Sequence, residues 1–469
     1  MNITSKLRVM EFKYLKQVFF VGIGGIGMSA LARFFYRQGI TVFGYDRTPS
    51  ELTVKLESEG MTIHYREDVK WLIEQCFMPD DTLVVYTPAV PEKHTELVYF
   101  REMGFDIKKR AEVLGMISKS WDAVCVAGTH GKTTISTLTA HIYTNSKIGC
   151  TAFLGGISNN YHTNYLHSGK SPYVILEADE FDRSFLHLAP YMSVISSIDA
   201  DHLDIYGNKE ELKKTFNEFA LSTRQGGTLI LKKGIEGISS SEGSVKFFYS
   251  LQEETDFYAS DIRLVDDTYH FDLNSPFGKI EDLELGIPGL LNVENAVAAS
   301  ALALIGGVSE EELKAGLSSF KGIRRRFEYV IKSDSFIFID DYAHHPEEIK
   351  ATVNSVKALY PGKRISAVFQ PHLYSRTQDF ATEFAEALDL LDQVYLLDIY
   401  PARELPIKGV TSELIKKNMK NSSVVLCDNE SLFNLIMNDK PDVLLTMGAG
   451  DIDHLVPELD EKIRDFIKL

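Results

Sequence analysis

Twice in this chain, a short apolar run rich in β-forming residues leads directly into a glycine-rich loop and then into helix-like sequence. The first run, Gln17–Val21, precedes Gly22–Gly27, and the second, Ala123–Ala127, precedes Gly128–Thr134. A strand, a glycine turn and a helix in this order are typical of open α/β sheets, which bind ligands at the carboxyl ends of their parallel strands. The pattern therefore predicts two α/β units, each with an anion-binding loop.

A third group of strands follows the run Arg324–Arg326, and its strands also end in polar or glycine residues. The length of 469 residues suits about three domains at roughly 150 residues each. We predict an α/β protein with three domains, a Rossmann-like domain over residues 1–112, a central domain with the second glycine loop over residues 113–323 and a third α/β domain over residues 324–469. The alternating strands and turns between about residues 243 and 285 predict a small antiparallel sheet beside the parallel sheet of the central domain.

Composition excludes several classes of protein. With 66 acidic against 49 basic residues, the net charge of −17 argues against a nucleic-acid or membrane-surface binder. No apolar stretch reaches the roughly 20 residues of a transmembrane helix, and the N-terminus carries charges where a signal peptide would be apolar. The four cysteines are widely spaced, which argues against a disulfide framework and a cysteine-based zinc site. We expect a cytoplasmic protein.

The loop Gly22–Gly27 has the GxGxxG spacing that brings a backbone close to a diphosphate, and Asp46 ends the next predicted strand. The candidate ligand-binding residues are Gly22, Gly24, Gly25, Ile26, Gly27 and Asp46. This motif does not identify the nucleotide, although NAD is its commonest occupant. The alternative is a tight turn that packs a helix on a strand and binds nothing.

The segment Gly128–Thr134 is the strongest local signal. Loop N–H groups can surround phosphates, Lys132 can neutralise them and the Thr133 hydroxyl can bind Mg²⁺. The usual earlier glycine would fall at Val126, so Gly128 makes a shorter loop than usual. The alternative is a lysine that merely caps a helix.

Acidic and histidine residues follow the next two predicted strands: Glu177, Asp179 and Glu180 after one, and Asp201 with His202 after the other. Neighbouring parallel strands would bring them beside the phosphate loop, where Glu177 and His202 could bind Mg²⁺ or Mn²⁺. Alternatively, Glu180 and Asp182 are solvated loop acids or helix caps, and His202 is a packed side chain.

The third unit holds candidates of a similar kind. Arg324–Arg326 is either a solvated linker or the source of an arginine that stabilises a transition state. The pair His344–His345, and His372 with Arg376, follow strand ends. Each pair could be structural, but their meeting at one sheet edge favours a ligand site.

Together these residues resemble the Mur ligases. The motifs run in the family's order over nearly the whole chain: VGIGGIGMSALA (Val21–Ala32), AGTHGKTT (Ala127–Thr134), LEADEFDRSFLHL (Leu176–Leu188), DADHLDIYG (Asp199–Gly207), PGLLNVENA (Pro288–Ala296), GIRRRFE (Gly322–Glu328), DDYAHHPEEI (Asp340–Ile349), FQPHLYSRT (Phe369–Thr377) and MGAGDI (Met447–Ile452).

The resemblance implies that the first domain binds a UDP-sugar, so that Gly22–Gly27 and Asp46 hold UDP rather than NAD. It implies that the second domain is a P-loop ATPase-type domain that binds ATP and Mg²⁺ (or Mn²⁺), and that the third is a second Rossmann-like domain that binds an amino acid. The implied ATP-binding residues are Gly128, Thr129, His130, Gly131, Lys132, Thr133, Thr134, Asn292, Asn295, Arg326 and Asp341. The implied metal ligands are Thr133, Glu177 and His202, the implied amino-acid-binding residues are Tyr342, His345, His372 and Arg376, and the implied catalytic residues are Lys132, Glu177, His202, Arg326 and His345.

The implied activity joins L-alanine to the lactyl carboxylate of UDP-N-acetylmuramate through an acyl phosphate, with release of ADP and phosphate. The expected partners are these small molecules, and the expected oligomeric state is a monomer or a weak homodimer. Three positions depart from the family pattern: Ser197 replaces an asparagine, Leu291 a histidine and Leu373 an arginine. With Leu373 in place, Arg376 or Arg403 is expected to take more of the contact with the amino-acid carboxylate.

Four alternatives remain at this point. A murein-peptide ligase would share most of the motifs but accept a tripeptide. A folylpolyglutamate synthase would lack the first domain. An NAD-dependent dehydrogenase would explain Gly22–Gly27 but leave Gly128–Thr134 without a function. A regulatory P-loop ATPase would explain Gly128–Thr134 but leave Gly22–Gly27 without one.

Overall fold

The structure is a computed structural model that describes residues 12–199, 203–402, 404–420 and 423–467. Its strands form three sheets, of five, ten and six strands. By internal contacts the chain divides into two units. The first comprises Met1–Arg263, His270–Gly286 and Val293–Lys321, and the second comprises Leu264–Tyr269, Ile287–Asn292 and Gly322–Leu469.

The first sheet has the strand order β3-β2-β1-β4-β5, and all its strands are parallel. The central strand is the apolar run that leads into the first glycine loop, and its residues from Val18 to Val21 have no exposed surface because helices cover both faces. The elements are β1 (Gln17–Val21), α1 (Ile26–Arg37), β2 (Thr41–Tyr45), α2 (Glu51–Ser58), β3 (Thr62–His64), α3 (Val69–Glu74), β4 (Thr82–Tyr86), α4 (Thr95–Glu102), β5 (Asp106–Lys109) and α5 (Arg110–Ser120).

The second sheet has the order β15-β14-β13-β12-β11-β10-β6-β9-β7-β8. Its strands are β6 (Asp122–Ala127), β7 (Thr151–Ser158), β8 (Thr163–Leu166), β9 (Tyr173–Glu177), β10 (Met192–Ile195), β11 (Thr228–Lys232), β12 (Val245–Ser250), β13 (Phe257–Val265), β14 (Thr268–Ser275) and β15 (Gly278–Leu285). Its helices are α6 (Lys132–Thr144), α7 (Leu203–Tyr206), α8 (Lys209–Leu221), α9 (Leu290–Ile305) and α10 (Glu310–Ser318).

The centre of this sheet is parallel, as predicted, with β6 between β10 and β9. The region predicted as a small antiparallel sheet forms β13 to β15, and these strands extend the edge of the same ten-stranded sheet because β13 pairs with β12. At the opposite edge, β7 and β8 form an antiparallel hairpin that the sequence did not predict.

The third sheet, in the second unit, has the order β16-β17-β21-β18-β19-β20 and is parallel except for β16. Its strands are β16 (Glu328–Lys332), β17 (Ile337–Asp341), β18 (Ile365–Phe369), β19 (Gln393–Leu396), β20 (Val424–Leu426) and β21 (Val443–Met447). Its helices are α11 (Pro346–Leu359), α12 (Tyr374–Asp379), α13 (Ala381–Leu388), α14 (Ser412–Asn418), α15 (Asn429–Asp439) and α16 (Leu455–Ile467).

The predicted α/β architecture is therefore confirmed, and each predicted glycine loop lies between a buried strand and a helix. The domain boundaries near residues 112 and 323 stay predictions. In the described part of the chain, no helix combines the length and the apolar character that a membrane crossing requires. All four cysteines are free thiols.

Candidate active site

The first glycine loop joins β1 to the N-terminus of α1. The N–H of Gly22 donates to the Tyr45 carbonyl at 2.8 Å, and Gly22 has a positive φ of 88° that favours glycine. Gly25 precedes α1, and both Gly25 and Ile26 are exposed. The first turn of α1 contains no acidic side chain. An anion at this turn would therefore meet no carboxylate from the turn itself, and the anion site that the motif predicts stays a prediction.

Asp46 fixes the shape of this loop. Its Oδ2 accepts a hydrogen bond from the Gly24 N–H at 2.7 Å, and a Cβ at Gly24 would lie 2.7 Å from the same oxygen. Asp46, which the sequence predicts to contact the bound nucleotide, therefore also holds the loop against the end of β2.

The second glycine loop joins β6 to α6. Gly131 is the residue before α6 and has a φ of 82°, and Gly128 has a φ of 138°. A Cβ at Gly128 would lie 2.9 Å from the Ser197 nitrogen and closer still to the Ser196 hydroxyl. A side chain at position 128 would therefore be both strained and crowded by the chain that follows β10.

Ser197 ties this loop to the segment after β10. Its Oγ accepts from the His130 N–H at 2.8 Å and lies 2.8 Å from the Thr129 hydroxyl, and its carbonyl accepts from the Thr129 N–H at 3.2 Å. The serine that departs from the family pattern thus still bonds to the phosphate loop. In this structure the His130 N–H is directed to Ser197.

Lys132 is paired with Glu180. Its Nζ lies 2.9 Å from Oε1 and 2.8 Å from Oε2 of Glu180, and it donates to the Gly128 carbonyl at 2.6 Å. Burial alone would lower the pKa of Lys132, but the charges of Glu180, Asp179 and Glu177 outweigh it and raise the pKa. The lysine is therefore held as a cation. Glu180 is only 1% exposed, so the alternative that it is a solvated loop acid is wrong.

Glu177 ends β9 directly beside the strand that leads into the phosphate loop, because it pairs with Val126 in the parallel register. A Cβ at Gly155 would lie 2.8 Å from Glu177 Oε1 and closer still to Oε2, so the neighbouring β7 leaves room for this carboxylate. Thr133 is buried in the first turn of α6.

A threonine hydroxyl and a carboxylate are hard oxygen ligands, and they fit Mg²⁺ that completes its coordination with water and phosphate. The third expected ligand, His202, lies outside the described residues, as does Arg403. Within the described ranges, no three His, Cys, Asp or Glu side chains form a metal-binding group by themselves.

The two asparagines expected near ATP differ in their surroundings. Asn295, on α9, is buried, and its Oδ1 would lie 2.8 Å from a Cβ at Gly131. It therefore lies against the phosphate loop. Asn292 donates through Nδ2 to the Pro288 carbonyl at 2.6 Å and belongs to the second unit.

In the second unit, Arg325 fastens the end of β17. Its Nε donates to Asp340 at 3.1 Å and its Nη2 to the Gly448 carbonyl at 2.8 Å. Burial raises the pKa of Asp340, although the Arg325 charge opposes that effect. Arg325 is therefore a structural partner of the strand ends.

Asp341, expected to contact the nucleotide, is buried. Its carboxylate accepts from the Phe327 N–H at 3.1 Å, the Ala343 N–H at 2.8 Å and the Thr352 hydroxyl at 3.2 Å. Burial raises its pKa to about 6 despite the nearby Arg326. In this structure the carboxylate organises the backbone on both sides of β17, and its contact with a nucleotide remains a prediction.

Arg326 is about one third exposed and lies over an aromatic ring. Its Cζ is 5.0 Å from the centre of the Tyr342 ring, and its Nη1 is 3.9 Å from Glu348. The cation–π contact orients the guanidinium while it keeps hydrogen-bond donors available. Arg326 and Tyr342, predicted from different motifs, are thus brought together.

His372 and Arg376 also lie together, and His344 joins them. The rings of His344 and His372 are 6.1 Å apart, and Arg376 Nη1 lies 3.5 Å from His372 Nδ1. Burial is the main cause that lowers the pKa of His344 to about 4 and that of His372 to about 3. The charge of Arg376 acts in the same direction on both rings, and the charge of Glu348 opposes it at His344. Both rings are therefore neutral near pH 7.

His345 packs against an aromatic ring. It is buried in front of α11, and its ring packs against Phe380 with 5.0 Å between ring centres. Its neighbour His344, which the resemblance did not assign, is the ring that lies beside His372. The catalytic role expected for His345 remains a prediction.

Sequence reasoning missed two further groups at the first unit's site. Arg110, in the run Lys108–Arg110, reaches Asp179 through Nη2 at 3.2 Å. No local motif marks this arginine, because its partner is distant in the chain. The pairing of Glu180 with Lys132 was missed for the same reason, although both residues lie within motifs.

Three family models match the chain in succession. Residues 17–121 match the Mur ligase family catalytic domain, residues 126–303 the Mur ligase middle domain, and residues 325–450 the Mur ligase glutamate ligase domain.

Relatives of known name cover almost the full length. The UDP-N-acetylmuramate–L-alanine ligase of Phocaeicola vulgatus is 52% identical over 451 residues, which is 96% of this chain and 98% of the relative. The crystal structure of the UDP-N-acetylmuramate–alanine ligase of Thermotoga maritima has a TM-score of 0.79 at 27% identity and covers 96% of this chain and 99% of its own. A murein peptide ligase from Psychrobacter arcticus shares the fold, with a TM-score of 0.66 at 23% identity over 95% of this chain and 98% of that chain. This chain belongs to the Mur ligase family.

Proposed function

We propose that this chain joins L-alanine to the lactyl carboxylate of UDP-N-acetylmuramate and consumes ATP, with release of ADP and phosphate. The observation that carries the proposal is the 52% identity, over 96% of the chain, to a ligase of that name. Two glycine-rich loops in one unit support the proposal, one between β1 and α1 and the other between β6 and α6. The family uses ATP, and its substrates are small molecules.

In the first proposed step, a lactyl carboxylate oxygen attacks the γ-phosphorus of ATP. The bond to the β,γ-bridging oxygen breaks, ADP leaves, and an acyl phosphate forms. Lys132 would exchange its contact with Glu180 for phosphate oxygens and offset the charge on the transferred group. Arg326 would add a second cation. Mg²⁺, held by Thr133, Glu177 and His202, would neutralise phosphate charge.

In the second proposed step, the neutral amine of L-alanine attacks the acyl carbon, and the tetrahedral intermediate expels phosphate. The substrate ammonium must first lose a proton. His372 is a weak base, since burial lowers its pKa to about 3. We therefore assign His372, together with Tyr342 and Arg376, to binding the amino acid, and His345 stays the candidate base.

We assign the UDP part of the substrate to Gly22–Gly27 and Asp46, and the adenine nucleotide to Gly128–Thr134 and Asn295 in the first unit. Asn292 and Asp341 in the second unit are assigned to ATP by the family resemblance alone. Exclusion of water around the acyl phosphate would protect it from hydrolysis. We also propose a cytoplasmic location. We propose a monomer or weak homodimer, and sedimentation of the purified chain would test this oligomeric state.

Phosphate release with each substrate omitted in turn tests the function. We expect turnover only with ATP, Mg²⁺, UDP-N-acetylmuramate and L-alanine together. Release with ATP alone would point to a regulatory ATPase. A preference for the tripeptide L-Ala-γ-D-Glu-meso-diaminopimelate would point to a murein-peptide ligase, a reading that the identity to alanine ligases does not favour. Glycine and L-serine serve as competing acceptors.

Lys132→Met tests the phosphate assignment. We expect a fall in kcat of at least roughly 100-fold, because a cation on the transferring phosphoryl group is worth about that much or more. The phosphate-release assay measures kcat, and thermal unfolding checks that the variant is folded. Near-normal turnover would show that Lys132 does not bind the transferred phosphate.

A further inference from the structure

Arg110 lies between the first glycine loop and Asp179, which follows β9. It directly follows β5 as the first residue of α5, and its Nη2 donates to Asp179 Oδ2 at 3.2 Å. The other oxygen of Asp179 accepts from the Phe181 N–H at 3.1 Å. Asp179 lies two residues after Glu177, and its charge acts on Lys132. One end of the guanidinium is therefore fixed to the ATP-side carboxylates.

The same guanidinium covers the first turn of α1. A Cβ at Gly27 would lie 3.1 Å from both Cδ and Cζ of Arg110, and closer still to Nη1. The third glycine of a GxGxxG loop is usually explained by close packing of helix and strand. In this chain, its missing side chain makes room for an arginine.

The positive charge of Arg110 complements the negative charge of a diphosphate at this turn. A diphosphate at the first turn of α1 brings about two negative charges, whereas a helix N-terminus supplies only roughly half a positive charge. The loop itself contains no basic residue between Gly22 and Gly27. Arg110 adds a full positive charge at that turn.

The guanidinium also keeps donors for a ligand. Arginine carries five N–H donors in a planar fork that suits phosphate oxygens. Within the described ranges, Asp179 is the hydrogen-bond partner of Arg110, and the side chain is 22% exposed. A ligand on the loop would therefore meet open donors that Asp179 has already oriented.

We propose that Arg110 contacts the diphosphate of the UDP-sugar and that Asp179 is its positioning residue. This inference rests on the proposed function, which places UDP on the loop Gly22–Gly27. It adds a substrate-binding residue outside the sequence motifs and gives Gly27 a defined reason to lack a side chain.

Binding of UDP and of UDP-N-acetylmuramate to the full chain, measured by calorimetry, tests the contact. We expect Arg110→Ala to weaken both by roughly 10-fold to 100-fold, the usual loss for a hydrogen bond to a charged group. Arg110→Lys should recover part of the affinity, since it restores the charge but not the fork. In steady state the KM for UDP-N-acetylmuramate should rise, with the KM for L-alanine unchanged.

Lys109→Ala is the matched control. It removes a neighbouring cation whose Nζ lies 3.3 Å from Asp182, in a pair that is about 40% exposed on both sides. We expect its UDP affinity to stay within about twofold of the parent, because an exposed ion pair contributes little. Thermal unfolding of every variant checks folding.

Gly27→Ala tests the crowding independently through a double-mutant cycle. The added methyl group should displace Arg110, so Gly27→Ala alone should weaken UDP binding. In the Arg110→Ala background the same methyl group should cost much less. Fully additive losses would overturn the link between the two residues.

The contact with the diphosphate is overturned if Arg110→Ala binds UDP as well as the Lys109→Ala control does, or if it loses affinity for ATP to the same extent as for UDP. These outcomes differ from a failure of the proposed function. In that case the unmodified chain would not release phosphate with the complete set of substrates.

Discussion

At the scale of single residues, the main finding is that the phosphate lysine already has an anionic partner. Glu180 lies against Lys132 and is 1% exposed, so both charges are compensated in the absence of ligand. On the proposed assignment of Lys132 to phosphate, a nucleotide would replace this carboxylate with its own phosphates. The pair would then link the stability of the free protein to occupation of the phosphate site.

Glu180→Ala should lower the stability of the ligand-free protein by about 3–5 kcal/mol, because removal of one partner leaves a buried charge uncompensated. A non-hydrolysable ATP analogue with Mg²⁺ should return part of that loss, since phosphate oxygens can take the place of the carboxylate. Thermal unfolding with and without the analogue measures both effects.

Glu180→Gln is the control, because the amide keeps the shape of the side chain and an acceptor for Lys132. It should lose less stability than Glu180→Ala. If the analogue raised the melting temperature of Glu180→Ala and of the unmodified chain by equal amounts, Glu180 and phosphate would not compete for Lys132.

At the scale of elements, α1 is braced by the hairpin of the neighbouring sheet. Asn164 on β8 donates through Nδ2 to the Ile26 carbonyl at 2.5 Å and to the Ser29 hydroxyl at 2.9 Å, and its Oδ1 accepts from Arg33. Arg33, which is buried, also forms a two-point ion pair with Glu59 at 2.8 and 2.9 Å. The helix that carries the first glycine loop is thereby fixed to the second sheet.

Asn164→Ala should destabilise the protein by roughly 1–3 kcal/mol, because buried polar groups of α1 lose their partner. Hydrogen exchange should show the loss in the first turn of α1, and denaturant unfolding gives its size. Thr163→Ala, one residue earlier on the same strand, should cost less. Equal costs for both variants would mean that Asn164 does not brace α1.

The sequence predicted the elements better than it predicted their partners. The strand, loop and helix around Lys132 were predictable because glycine, lysine and threonine act there through local geometry. The joining of β13 to β12 was not, since the pairing of sheet edges depends on residues far apart in the chain. The contacts of Glu180, Arg110 and Asn164 escaped prediction for that reason.

In the candidate site, too, local motifs were predictable from the sequence and contacts between distant residues were not. Gly131 and Asn295 belong to separate motifs, and the structure places them in contact as the family resemblance led us to expect. The family resemblance assigned His345 to the amino-acid site, and that assignment stays a prediction. His344, which the resemblance did not assign, has its ring 6.1 Å from that of His372. Adjacent residues differ in direction, so only the fold decides which of the two meets His372.

At the scale of the whole molecule, buried histidines in both units link stability to pH. Burial lowers the pKa of His141 to about 4, as it does that of His344, and lowers that of His372 to about 3. In the unfolded chain these groups titrate near pH 6.5. Between pH 6.5 and pH 4 the unfolded state therefore binds more protons than the folded state.

The free energy of unfolding should accordingly be steady above pH 7 and should fall as the pH drops from about 6.5 toward 5. Asp341, with a pKa of about 6, opposes this decline in the same range, and the three histidines outweigh it. Urea unfolding at pH 7.5, 6.5 and 5.5 would measure the decline. His141→Gln, which keeps a hydrogen-bonding group near Ser319, should flatten it by removing one of the titrating groups. A free energy that rose on acidification over this range would contradict the assignment.

The brace on α1 also bears on how such enzymes can be recombined. Family models divide the chain after residue 121, yet Asn164, the partner of Arg33 and Ile26, lies beyond that division. A chimera that receives its first 121 residues from another ligase would separate a helix from the side chain that anchors it. Transplanting the first glycine loop together with the contacts that hold α1 therefore requires the graft to include the β7–β8 hairpin.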